Sequence, residues 1–391
     1  MDLKFSADDE AFRRRVREWL KKSLARDQAT AAPGGALAQS KAWQRKLYEA
    51  GFVGLAWPKR YGGQEAPPTQ QAILNEEMAR AGSPPLINTI GLTIFAPTLI
   101  QFGTEEQKRR FLPKILTAEE IWCQGFSEPG AGSDLASLQT RAVEDGDDFV
   151  VAGQKVWTSL GPIADWCFLL VRTDTTAAKQ DGISYLLMDM KSPGVTVRPL
   201  RQITGKTHFS ELFLEEVRIP KANLVGEKNR GWVVAKASLS HERSGLAGVV
   251  EIEKLLSKLV AMARAQKRGG KAAIESPLFR QRLAQLYIEK EALKYIGYRV
   301  LSVQARGAEP GPEASVGKLL ASEMRQRMME VALSAEGQQA QVMKGSSITV
   351  DRGKWQMLYL DARAYTIGGG TSEVMRNIIA ERILGLPRSA E

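Results

Sequence analysis

The chain has 391 residues, 43% of them hydrophobic, enough for two or three packed units rather than one core. Its two cysteines, Cys123 and Cys167, and two histidines, His208 and His241, offer no framework for a structural metal or a disulfide scaffold. The net charge of +10 is interspersed with acids, as in residues 10–26, which argues for solvated helix faces and against a nucleic-acid surface.

No apolar stretch approaches the roughly 20 residues of a membrane helix, and residues 1–10 are polar and mixed in charge. With neither a signal nor a transit peptide visible, a cytoplasmic location is the expectation. In chain order, residues 8–116 carry helical spacing. Phe12, Val16, Trp19 and Leu20 share one face, and Thr104 followed by Glu105, Glu106 and Gln107 reads as a helix start. A further helix is expected over 84–100. Between 121 and 224 the pattern shifts to short β-branched and aromatic runs, with strands predicted at 149–151, 166–171, 183–188 and 212–214 and a turn at 144–148. Helical period returns after Gly226: Val249, Ile252, Leu256, Leu259 and Met262 form a stripe that stops at Arg268-Gly269-Gly270, and helices follow at 278–303, 315–335 and 372–384. The order helices, strands, helices predicts an α+β fold: an N-terminal helical domain (1–120), a middle β domain (121–225) and a C-terminal helical bundle (226–391).

Two stretches carry chemistry. Ser127-Glu128-Pro129-Gly130-Ala131-Gly132-Ser133-Asp134 is a loop of small residues whose backbone N–H groups can face an anion, and by itself it reads equally as a surface turn. A short hairpin later stands Gly153-Gln154-Lys155-Val156-Trp157-Thr158-Ser159, an aromatic plane flanked by hydroxyls. Together they resemble the acyl-CoA dehydrogenase family, and the likeness extends over essentially the whole chain, through Phe102 to Lys108, Gly226 to Arg230 and Gly370-Thr371-Ser372-Glu373. The resemblance implies FAD. Phe126 and Ser127 would touch the flavin ring, Ser133 the pyrophosphate, and Trp157 would cover one face. Ser159 would lie near N5, and Thr371 with Glu373 would approach the phosphate or ribityl portion.

Oxidising a saturated bond beside a thioester needs a base for the α proton and a hydride acceptor, here the flavin, for the β hydrogen. The family's commonest base is a Glu immediately before the Gly-Thr of the last loop, where this chain has Gly369. A second placement, seen in isovaleryl-CoA and long-chain acyl-CoA dehydrogenases, puts a Glu before an Arg on a helix of the third domain. Glu242-Arg243 stands there, with Glu242 at helical offsets from Leu239, Leu246 and Val249. The resemblance therefore implies Glu242 as base, Arg243 as a substrate contact, and the Gly369 backbone N–H as a donor to the thioester oxygen. Gly369 would also free volume for a branched or bulky acyl group.

Two departures stand out. Where the family often has an Arg three residues before a Phe, Ser276 precedes Phe279, with Arg280 or Arg282 as substitutes; and the short cofactor loop expected near 336–359 is not evident, Gln338 being its one candidate. Such departures resemble heteromeric members, so a partner subunit without its own chemistry is the rival reading, and a flavin oxidase or monooxygenase on the same fold is a third. The resemblance further implies an acyl-CoA substrate, electron transfer flavoprotein as acceptor, and assembly with itself or a homologous subunit as a dimer or tetramer.

Overall fold

The computed structural model describes residues 5–29, 35–241, 247–308 and 311–388. Five helices come first: α1 (Ala7–Ala29), α2 (Gly35–Glu49), α3 (Pro68–Ala81), α4 (Ala96–Phe102) and α5 (Glu105–Leu116). Strands β1 (Trp122–Gly125), β2 (Arg141–Asp145), β3 (Asp148–Ser159), β4 (Trp166–Arg172), β5 (Ile183–Asp189), β6 (Val195–Leu200) and β7 (Phe209–Pro220) follow. Then come α6 (Gly231–His241), α7 (Ala247–Ala265), a small hairpin β8 (Lys267–Arg268) and β9 (Lys271–Ala272), α8 (Pro277–Gln304), α9 (Ala314–Glu336), α10 (Lys354–Ala362) and α11 (Ser372–Arg382). The α+β order is the one the sequence predicts. None of the described helices is long and apolar enough to cross a membrane. By its internal contacts the chain divides into two units, Lys22–Pro67 with Pro84–Glu242, and Met1–Lys21 with Pro68–Ser83 and Arg243–Glu391.

In the first of these units the seven strands form one sheet in the order β1-β4-β2-β3-β7-β6, with β5 paired to the far side of β4. The four predicted strands fall inside β3, β4, β5 and β7. β4 and β5 read as continuous apolar runs because nearly every residue is buried, as expected of strands covered on both faces. Capping of α5 follows its sequence signature, Thr104 accepting from the Gln107 N–H at 3.2 Å and Gln107 accepting from the Thr104 N–H at 3.1 Å. The helix expected over 84–100 is helical only from Thr89, and residues Gly91–Phe95 form a π-helical segment before α4. Pro84 and Pro85 push the residues before them out of the helical region, which contributes to the late start.

A buried amide pair joins α2, the end of α5 and β1. Gln44 donates to the carbonyls of Ile115 (2.9 Å) and Leu116 (3.1 Å) and accepts from the Asn88 N–H at 3.0 Å. The Asn88 side chain donates to the Glu120 carbonyl at 2.8 Å and accepts from the Trp122 N–H at 3.0 Å. Free carbonyls at a helix C-terminus are thereby satisfied without water.

In the second unit the predicted stripe on α7 is the core: Val249, Ile252, Leu256, Leu259 and Met262 are all buried, packed with Leu283 and Leu286 of α8 and Met324 and Met328 of α9. Arg268-Gly269-Gly270 is a tight hairpin rather than a helix cap, since α7 already ends at Ala265 and both glycines take positive φ, 55° and 81°. Ser276, where a cationic residue was sought, is the N-cap of α8 and accepts from the Phe279 N–H at 3.4 Å.

At the end of α9, Glu336 is only 4% exposed. One of its oxygens accepts from the Gln356 amide at 2.6 Å, and the other has no partner among the described residues. Burial pushes its carboxyl up to about 7, the Gln356 hydrogen bond only partly opposing that. A carboxyl raised in the folded state binds its proton more tightly than the unfolded chain does, so its contribution is full below the ordinary value of 4.5 and is lost as pH rises through about 7. Glu336→Gln is therefore expected to raise the thermal midpoint at about pH 8 and to leave it nearly unchanged at about pH 5. An equal shift at both pH values would contradict this account.

Candidate active site

The Gly-rich loop folds back on itself: the Glu128 and Ala131 backbones exchange hydrogen bonds of 3.0 and 3.1 Å, a turn that leaves Pro129, Gly130, Gly132 and Ser133 exposed. Nothing lies within 4 Å of where a Cβ would sit at Gly130 or Gly132, so a ligand can approach their backbone closely. Phe126 enters the loop buried, its ring edge-on to Phe168 at 5.6 Å and Tyr185 at 5.9 Å. Its contribution to a bound ring is thus backbone or ring edge. Ser127 is half-buried, and its carbonyl accepts from the Val156 N–H at 2.9 Å.

β3 bulges between Lys155 and Thr158 where it pairs with β7. Trp157 sits in that bulge with φ of 62°, a left-handed conformation that costs a non-glycine residue about 1–3 kcal/mol. The bulge re-aims its side chain out of the sheet: Trp157 is 59% exposed, with only Phe209 edge-on at 5.9 Å. Ser159 is half-buried two residues on, opposite Phe209 in the ladder. The structure thus brings Phe126 and Ser127, just past β1, beside the β3 stretch that carries Trp157 and Ser159, with Ser133 on the loop tip.

A second group lies in the other unit, on the turn before α11. Gly369 and Gly370 take φ of 66° and 96°, and a Cβ at Gly370 would stand 2.5 Å from Met375 Cε. Thr371 is the N-cap of α11 and accepts from the Val374 N–H at 3.1 Å. Glu373 is exposed, 3.6 Å from Arg376. Thr371 and Glu373 border a cavity of about 440 Å³ shared with Glu323 and Arg327. Ser372 Oγ, buried on its wall, has no partner among the described residues. A hydroxyl without a partner at a helix start is suited to an anion or a ribityl chain. Glu242 and Arg243 lie outside the described residues, between the end of α6 at His241 and the start of α7 at Ala247. Gln338, Arg280 and Arg282 are exposed.

What residue patterns did not reveal is the pair that holds the first group together. Lys155 is fully buried, and its Nζ is 2.7 Å from Glu128 Oε1 and 3.1 Å from the Phe126 carbonyl. Burial pushes the ammonium down to about 8, with Glu128 acting in the opposite direction. Burial by itself would raise the Glu128 carboxyl; the charge and hydrogen bond of Lys155, with the Thr140 and Gln139 amides, outweigh it and hold the group below its usual range. A buried lysine is rare enough that only its position ahead of Trp157 could have drawn attention to it.

An exposed aromatic plane, an open glycine loop and an unpartnered hydroxyl at a helix start suit a flat heterocycle carrying phosphates. Comparison with known proteins decides among folds of that kind. The chain matches the acyl-CoA dehydrogenase N-terminal domain over residues 6–119, the middle domain over 123–217 and the C-terminal domain over 229–384. It belongs to the acyl-CoA dehydrogenase family. Members act as oxidoreductases on CH–CH bonds of acyl-CoA thioesters, in general with FAD. The chain is 41% identical to acyl-CoA dehydrogenase IpdE1 of Mycobacterium tuberculosis over 98% of its length and 99% of that protein. It is 35% identical to acyl-CoA dehydrogenase FadE26 of the same organism, each chain covered at 100%. Among solved structures it superposes on the Tcur3481-Tcur3483 steroid ACAD at a TM-score of 0.85 and 32% identity, and on the ChsE4-ChsE5 complex from Mycobacterium tuberculosis at 0.84 and 34%, with both chains covered at 100% each time.

Proposed function

We propose that this chain binds FAD and oxidises the Cα–Cβ bond of an acyl-CoA thioester to the trans-2-enoyl-CoA, with Glu242 as the base. The division 1–120, 121–225 and 226–391 is kept, with the chemistry assigned to motifs of the second and third parts. FAD, when bound, supplies at N5 the acceptor for the β hydrogen as hydride. Phe126 and Ser127 border the ring, Trp157 covers one face and Ser159 stands near N5, while Ser133, Thr371 and Glu373 hold the phosphate and ribityl portions. Glu242 takes the α proton, Arg243 contacts the substrate, and the Gly369 N–H donates to the thioester oxygen as negative charge grows there. The observation that carries the reading is Trp157, 59% exposed on a backbone conformation that folding alone disfavours.

Gly369 leaves no side chain beside the reacting carbons, which supports a branched or polycyclic acyl group, and a solved relative is described as a steroid ACAD. The electron acceptor in this reading is electron transfer flavoprotein, and the setting is cytoplasmic. Two solved relatives are described as two-component assemblies, which supports pairing with a homologous subunit. α8 carries apolar side chains suited to such a contact, Leu278, Tyr287, Ile288 and Tyr295, all exposed.

Purifying the chain alone and recording its visible spectrum tests the central claim. A flavin spectrum, present at isolation or restored by added FAD, is expected. A colourless chain that FAD does not reconstitute would transfer the role to a partner subunit.

A further inference from the structure

We infer that Lys155 and Glu128 are positioning residues: their buried ion pair fixes the Gly-rich loop and the plane of Trp157 relative to each other, and so sets the geometry in which a flavin is received. The inference rests on the flavin reading above and goes beyond it, because neither side chain is exposed to touch a ligand.

Three consecutive loop residues are tied to two consecutive strand residues. The Phe126 carbonyl accepts from Lys155 Nζ at 3.1 Å, the Ser127 carbonyl from the Val156 N–H at 2.9 Å, and the Glu128 carboxylate from Lys155 Nζ at 2.7 Å. The same carboxylate accepts the N–H groups of Gln139 (2.6 Å) and Thr140 (2.9 Å), where the chain leaves the loop for β2. Both ends of the loop therefore converge on one carboxylate. The next residue along β3 is Trp157, and the bulge that turns it outward opens just past Lys155.

An apolar pair of similar volume would give comparable stability, since desolvating two charges offsets most of their attraction. What the ion pair adds is direction. Its hydrogen bonds have one geometry, whereas an apolar contact would let the loop slide against the strand. That difference separates positioning from mere support.

The test compares the full-length wild-type chain with Lys155→Met, Glu128→Gln and the double variant, read by thermal midpoint, by FAD titration, and by iodide quenching of Trp157 emission taken as the difference from a Trp157→Phe background. Each single variant is expected to melt lower and to bind FAD at least about tenfold more weakly, because one buried charge loses its partner. The double variant should recover much of the melting temperature while FAD binding stays at least about tenfold weaker and Trp157 quenching stays altered. Recovery of both stability and FAD affinity in the double variant would reduce the pair to a staple and overturn the inference. So would single variants with wild-type affinity and unaltered Trp157 quenching. If the wild-type chain binds no FAD, the flavin reading is what fails; unaltered Trp157 quenching would then count separately against the positioning role.

Discussion

Glu242→Gln is expected to slow the bleaching of bound flavin by acyl-CoA by about 10²–10⁴-fold, the range over which a positioned general base contributes. The turn before α11 reads Ile367-Gly368-Gly369-Gly370-Thr371-Ser372, with no carboxylate at all, and Glu373 beyond it is exposed and 3.6 Å from Arg376. In sequence Glu242 stands at helical offsets from Leu239, Leu246 and Val249, and a carboxylate on such an apolar stripe would gain affinity for protons. Gln keeps nearly the shape of Glu and one acceptor oxygen, and it cannot take a proton. FAD content should accordingly be unchanged and the loss should fall on the rate of reduction measured anaerobically in single turnover. Reduction at the normal rate in this variant would remove Glu242 from the chemistry and require another base for the α proton.

Asn88→Ala is expected to destabilise the unit that contains the sheet by about 3–5 kcal/mol, seen as a lower urea midpoint by near-ultraviolet circular dichroism. The backbone N–H of residue 88 survives the change, so Gln44 keeps its partner. What is lost is the side chain's donation to the Glu120 and Ile115 carbonyls and its acceptance of the Trp122 N–H, the last two in buried surroundings. Each orphaned group costs about 1–3 kcal/mol, and the vacated space adds a cavity term. The turn cannot close over the gap by sliding inward, because Gly91 already packs on the amide: a Cβ there would stand 2.5 Å from Asn88 Oδ1. A shift below about 1 kcal/mol would mean that water had taken the amide's place.

The α7 stripe was legible because a buried helix face repeats every three or four residues, and β4 and β5 because β-branched and aromatic runs bounded by turns have few other readings. β1 escaped notice: Trp122-Cys123-Gln124-Gly125 is short and shows no alternation, since it lies between covered faces. β6 also escaped, its exposed edge carrying Arg198 and Pro199, residues that blunt edges and resemble loop. At the site, local motifs located Trp157 and the Gly-rich loop. Asn88 with Gln44, and Lys155 with Glu128, were invisible because each pair is separated along the chain, and because amides and ions are expected in water until a fold supplies their partners. Sequence therefore conveyed which motifs stand at the surface and concealed what holds them still.

Directed evolution for heat tolerance would meet this chain at an awkward position. A left-handed φ of 62° favours Gly or Asn over Trp, so a library scored only on survival at high temperature should enrich Trp157→Gly and Trp157→Asn. Those winners would lose the aromatic surface. Holding residue 157 constant during such a campaign, and counting yellow colonies alongside survivors, would keep selection for robustness from erasing the colour it was meant to preserve.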